Sequence, residues 1–146
     1  NFLSVFDGTY DMFRHVFRPE QLGADWAADA EMLAFSSTCL VDSPCRYTHL
    51  AALDTARTAG VPVCFVPSLR PALWPSEKTL RDTVMQFLPF ADILLLTADE
   101  MELLLDTREY QVGLFALLRG PAKTSFVVPV RSTCPPSMTI MSRHRR

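Results

Sequence analysis

The chain has 146 residues, enough for one domain with a substantial core and too few for two domains of ordinary size. With 49% of residues apolar and 21% charged it is a soluble globular chain, not a disordered one. A net charge of −2 gives no reason to expect nucleic acid or an anionic membrane as partner, and no apolar run is long enough to cross a bilayer.

In chain order, the apolar runs 1–6 and 10–16 flank Asp7-Gly8, a hairpin signal. From Pro19 to Met32 the residues Leu22, Trp26, Ala30 and Leu33 recur at helical spacing and predict a helix. Leu33 to Leu40 reads as a buried strand. Ser43 caps the next helix, with Pro44 at its first position and Leu50, Leu53 and Ala56 on its apolar face. Gly60 ends that helix. Val61 to Val66 is a strand. Ser76 caps a helix whose Leu80, Val84, Phe87 and Leu88 face a core.

Ile93 to Leu96 is a continuous aliphatic strand of the kind buried in parallel sheets. Thr97 opens a helix through Leu105, Glu109 to Arg119 is helical again, and Phe126 to Val130 is a last strand. This alternation is that of right-handed βαβ units, so the fold class is α/β, a mostly parallel sheet flanked by helices. After Val130 the periodicity stops. Residues 131–146, ending in Arg143-His-Arg-Arg146, read as an unstructured or aberrant tail.

Cys39, Cys45, Cys64 and Cys134 show no Cys-x-x-Cys spacing and, on this reading, no histidine at metal-ligand spacing. They read as free thiols in a reducing, cytoplasmic compartment. His15 and His49 have no acid or nucleophile nearby in sequence and read as structural or surface residues. Phosphate-loop, nucleophile-elbow and dinucleotide motifs do not occur.

Two positions carry candidate chemistry. Arg70 follows a strand and lies between Pro67 and Pro71, where its guanidinium offers a planar fork for phosphate, carboxylate or sugar hydroxyls. The alternative is a surface arginine paired with a neighbouring acid. Thr97-Ala-Asp-Glu100 has capping-box spacing, which is a sufficient structural explanation. The functional alternative is a carboxylate at a strand end that orders magnesium and phosphate.

Several motifs follow one another in a single register: Ser43-Pro-Cys-Arg46, His49-Leu-Ala-Ala52, Ala59-Gly60-Val61, Pro67-Ser-Leu-Arg70, Leu73-Trp-Pro-Ser76 and Glu100-Met-Glu-Leu-Leu104. In this the chain resembles the PfkB (ribokinase-like) carbohydrate kinases, nearest to the fructokinases, over roughly 35–105. The resemblance implies transfer of the γ-phosphoryl group of ATP to a sugar hydroxyl, with Mg2+ as the metal and a small-molecule sugar as partner. It also implies that Arg70 and Ser68 lie at the sugar and transferred phosphate. Glu100 and Thr97 would order magnesium and phosphate, with no direct metal ligand in this chain.

The family's Asp-x-Asn-x-Arg is Val66-x-Ser68-x-Arg70 here, and Thr97 stands at the asparagine of its Asn-x-x-Glu. Its Gly-Ala-Gly-Asp segment, which carries the catalytic base, does not occur, and Pro129-Val-Arg-Ser132 departs from the glycine pattern expected after the last strand. The expectation is an internal fragment, residues 1–130 being the central part of a kinase domain. A reading-frame change near residue 129 would account for the tail. Such a fragment has no catalytic residue of its own and is inactive alone, and it self-associates or forms a homodimer through exposed strand edges. The alternative is a non-catalytic α/β module that binds a ligand or a partner chain.

Overall fold

The computed structural model describes residues 18–23, 25–119 and 126–130, the last five and 118–119 by their backbone alone. The predicted hairpin and the tail after Val130 lie outside the described residues. Four strands, β1 (Leu33–Phe35), β2 (Val63–Phe65), β3 (Ile93–Thr97) and β4 (Phe126–Val130), pair in parallel in the order β1-β2-β3-β4. The α-helices between them are α1 (Pro44–Ala59), α2 (Glu77–Phe87), α3 (Ala98–Leu105) and α4 (Tyr110–Arg119). The predicted α/β class is the observed one.

Strand register sorts the core. Phe35 lies opposite Phe65 and Phe65 opposite Leu94, so these side chains share one face of the sheet. The helices that connect these sequential parallel neighbours pack on that same face, as crossovers of one hand require. Leu53 and Ala56 of α1, Leu80, Val84 and Phe87 of α2, and Met101 and Leu104 of α3 join Leu33, Phe35, Val63, Phe65, Leu94 and Leu96 in one core cluster. Phe35 and Phe65 stack with ring centroids 4.3 Å apart at its centre. On the other face Ala34, Ile93 and Leu95 are half-buried.

Local sequence explains most element ends. Gly60, at φ 72°, closes α1 in the left-handed conformation, and the Val61 amide bonds the Ala56 carbonyl at 2.9 Å. Ser76 caps α2 by accepting the Thr79 amide at 3.1 Å. The first residues of β2 and β3 are tied together. The Val63 amide donates to Asp92 Oδ2 at 2.9 Å, and the Asp92 amide donates to the Val63 carbonyl at 2.8 Å.

Four expectations need correction. Residues 19–32 form two 3-10 turns, Pro19–Gln21 and Trp26–Ala28, in place of a helix. Leu22, Trp26 and Ala30 do pack against the core, but Gly23, Asp25 and Asp29 favour turns over helix propagation. The strand expected over Leu33 to Leu40 ends at Phe35, and Ser37–Leu40 is a 3-10 turn. Hydroxyl bonding competes with the ladder there: Ser36 Oγ and Thr38 Oγ1 are 2.6 Å apart, and the Ser37 amide bonds the Pro67 carbonyl. Ser43 occupies the N-cap position of α1, yet its side chain makes no capping bond and its buried Oγ has no hydrogen-bond partner among the described residues. Leu50 is exposed; the inward face of α1 is Cys45, Thr48, His49, Ala52, Leu53 and Ala56.

Candidate functional site

In a parallel sheet the loops beyond the carboxyl ends of the strands are where ligands bind. Beyond β2 the chain runs through Val66, Pro67 and Ser68 to Arg70. Beyond β3 it turns directly into α3. A valine, two prolines and a 3-10 turn at Pro71–Leu73 hold the first loop in one shape. The Val66 amide bonds the Phe35 carbonyl at 2.9 Å, so β1 supports the loop from behind.

Ser68 sits at φ 48°, in the left-handed region, one of two described non-glycine residues there. Asparagine and glycine tolerate that conformation better than serine does.

Glu100, in the first turn of α3, joins that helix to the loop after β2. Its Oε1 accepts the Leu69 amide at 2.9 Å, 31 residues away in sequence. Its Oε2 accepts the Thr97 amide at 2.8 Å and the Thr97 hydroxyl at 3.0 Å, while Thr97 Oγ1 accepts the Glu100 amide at 3.2 Å. The capping box is therefore real, and it leaves Glu100 able to reach sideways to the arginine loop. A carboxylate offers about four acceptor positions, so three accepted bonds leave one open.

Arg70 is exposed, and its guanidinium makes no bond or ion pair with another described residue. The surface ion pair offered as its alternative is absent among the described residues. Trp74, at the end of the following turn, is buried, and its Nε1 has no partner among the described residues. Ser68 and Arg70 lie on the loop after β2, and the Leu69–Glu100 bond ties that loop to the β3–α3 junction that carries Thr97 and Glu100.

A second cluster was missed in the sequence. Cys45 and His49 lie one helical turn apart on α1, and Cys39 approaches them from the Ser37–Leu40 turn. The Cys39 thiol is pulled well below its usual range, first by its hydrogen bond with Cys45 and then by His49, against the opposing effect of burial. Burial alone pushes the Cys64 thiol up. His49 is buried, with Nδ1 2.8 Å from the Cys45 carbonyl oxygen. The reading of His49 as lacking a nucleophile nearby is thereby corrected. The Cys-x-x-x-His spacing was the available signal, since residues four apart share a helix face.

Comparison with known proteins agrees with this architecture. Residues 9–115 match the family described as pfkB family carbohydrate kinase. Probable fructokinase-3 of Arabidopsis thaliana is 31% identical over 93 residues, covering 64% of this chain and 27% of its own length. Probable fructokinase-2 of the same plant is 33% identical over 89 residues, covering 61% and 27%. A fructokinase double mutant from Vibrio cholerae O395, solved with fructose, ADP and potassium, superposes with a TM-score of 0.62 at 29% identity. It covers 68% of this chain and 32% of its own. The chain thus spans about a quarter of the length of these curated relatives. With the family matched over most of the chain and the same parallel α/β layer in the solved relatives, this chain belongs to the pfkB family of carbohydrate kinases.

Proposed function

We propose that the chain carries part of an ATP-dependent sugar kinase acting on fructose or a related sugar, located in the cytoplasm. Arg70 and Ser68 hold the sugar or the transferred phosphate, and Glu100, fixed by Thr97, orders the magnesium–phosphate group. The observation that supports this reading is the Leu69–Glu100 bond, which ties the loop of Arg70, unpaired among the described residues, to a carboxylate in the first turn of α3, beyond adjacent parallel strands.

The residues present fit an outer role toward the metal. Both Glu100 oxygens are already engaged, so its remaining acceptor position suits a metal-bound water better than direct coordination. Bound Mg2+ supplies neutralisation of phosphate charge. Arg70 supplies a planar donor fork for an anionic oxygen. A general base for the sugar hydroxyl is not assigned to any residue of the chain, and Gly-Ala-Gly-Asp does not occur in it. The 146 residues are accordingly proposed to bind ligand without turning it over.

A thermal-shift titration with ATP, magnesium and fructose tests this. A ligand that binds only the folded state raises the apparent melting temperature. The expected result is a rise that Arg70→Ala abolishes, with no sugar phosphate formed. Absence of a shift at millimolar ligand would favour the second reading, a non-catalytic ligand- or partner-binding module. Val66 and Ser68 favour that reading, since valine can neither donate nor accept a hydrogen bond. Self-association is also proposed, through strand edges and the half-buried Ala34, Ile93 and Leu95 face; light scattering across a dilution series measures it.

A further inference from the structure

The cysteine–histidine cluster lies at the carboxyl end of β1; Cys45 and His49 fall within motifs that carry the family resemblance, but the proposed phosphoryl transfer assigns them no role. One donor atom each from Cys39, Cys45 and His49 lies within 4.8 Å of the others. Cys45 Sγ is 3.5 Å from His49 Nδ1, which also donates to the Cys45 carbonyl at 2.8 Å, so coordination through Nδ1 requires that bond to be given up. Cys45 and His49 are buried while Cys39 is half-buried, so the cluster has one side open to solution. The His49 ring is held from behind by Phe35, their centroids 6.2 Å apart, and Phe35 is itself fixed by its stack on Phe65.

Two sulfurs and an imidazole are a soft-to-borderline donor set, suited to zinc and unsuited to magnesium or calcium. Zinc–sulfur and zinc–nitrogen bonds of about 2.3 and 2.0 Å put tetrahedral ligand atoms roughly 3.3–3.8 Å apart. With ligand atoms up to 4.8 Å apart, the site needs a closure of about 1.5 Å at most, which side-chain rotation can supply. Charge favours the same occupant. Two thiolates without a cation would be costly inside the fold, whereas two thiolates with a dication are neutral.

We propose that Cys39, Cys45 and His49 form a binding site for one thiophilic divalent cation of the zinc type, its fourth position open to water. Three protein ligands with an open position make a site that can load and unload, unlike a closed structural centre. Occupancy pins the Ser37–Leu40 turn to the first turns of α1.

Cobalt(II) titration of the 146-residue chain, followed by displacement with zinc, tests the proposal. The expected result is a thiolate-to-cobalt charge-transfer absorption that saturates at one equivalent and is displaced by zinc. Cys39→Ser and His49→Gln should each weaken zinc binding by at least about 100-fold, more than loss of an outer-shell partner does. Cys64→Ala and Cys134→Ser should leave it unchanged. Because His49 is buried and its variant can misfold, alkylation mapping on the unsubstituted chain gives an independent reading: zinc should protect Cys39 and Cys45 together. No charge-transfer band, a band that survives Cys39→Ser, or protection confined to Cys134 would each overturn the site.

Discussion

The Leu69 amide donates to Oε1 of Glu100 across 2.9 Å, so a helix-capping carboxylate also fixes the loop that presents Arg70. The same side chain completes the capping box with Thr97. One residue therefore sets the start of α3 and the shape of the loop after β2.

Removing that carboxylate should be felt at both places. Glu100→Ala leaves the Leu69 amide without its acceptor and opens the capping box, for a loss of about 1–3 kcal/mol. Glu100→Gln should recover only part of it, because an amide has one acceptor oxygen where two are in use. Urea unfolding measures both; a Glu100→Ala variant as stable as the parent would refute the tie.

Ser68 predicts the opposite sign. Its left-handed backbone is strained for serine, so Ser68→Gly or Ser68→Asn should stabilise by about 0.5–1 kcal/mol. Ser68→Val should destabilise, since a β-branched side chain fits that region poorly. Thermal melts of the three variants should fall in that order.

The stacked pair Phe35 and Phe65 should dominate the core. Phe35→Ala should cost about 3–5 kcal/mol. A double-mutant cycle with Phe65→Leu should return a coupling of about 0.5–1.5 kcal/mol beyond the separate losses. Additive losses would show that the stacking geometry contributes nothing beyond area.

Arg70 separates ligand binding from folding. Exposed and unengaged, it should tolerate Arg70→Ala with a stability change within about 0.5 kcal/mol. The ligand-dependent rise in melting temperature should nevertheless disappear. A ligand shift that persists in this variant would remove Arg70 from the proposed site.

The sequence made the α/β alternation legible because strands here are short apolar runs closed by strong punctuation: Gly60, Ser76 and Thr97 each act as their chemistry predicts. It failed where local patterns were ambiguous. Leu22, Trp26 and Ala30 keep helical spacing, yet Gly23 and the aspartates leave only 3-10 turns. Ser43 has the right residue type at the right position, but its hydroxyl makes no capping bond.

Arg70 and Glu100 could each be picked out singly. Their joining could not, because it rests on a bond between residues 31 apart in sequence. The metal-type cluster was half visible, since Cys45 and His49 share a helix face, whereas Cys39 belongs to a turn that the sequence presented as strand.

The strands β2 and β3 are bound at both extremities, by Asp92 to Val63 at one and by Glu100 to Leu69 at the other. In dynamic terms they have no free end about which to pivot. Their amides should exchange with solvent as one cooperative unit, opening together near the global unfolding free energy. A loop anchored to such a unit arrives already shaped, and an anion reaching Arg70 meets a backbone that need not be ordered first.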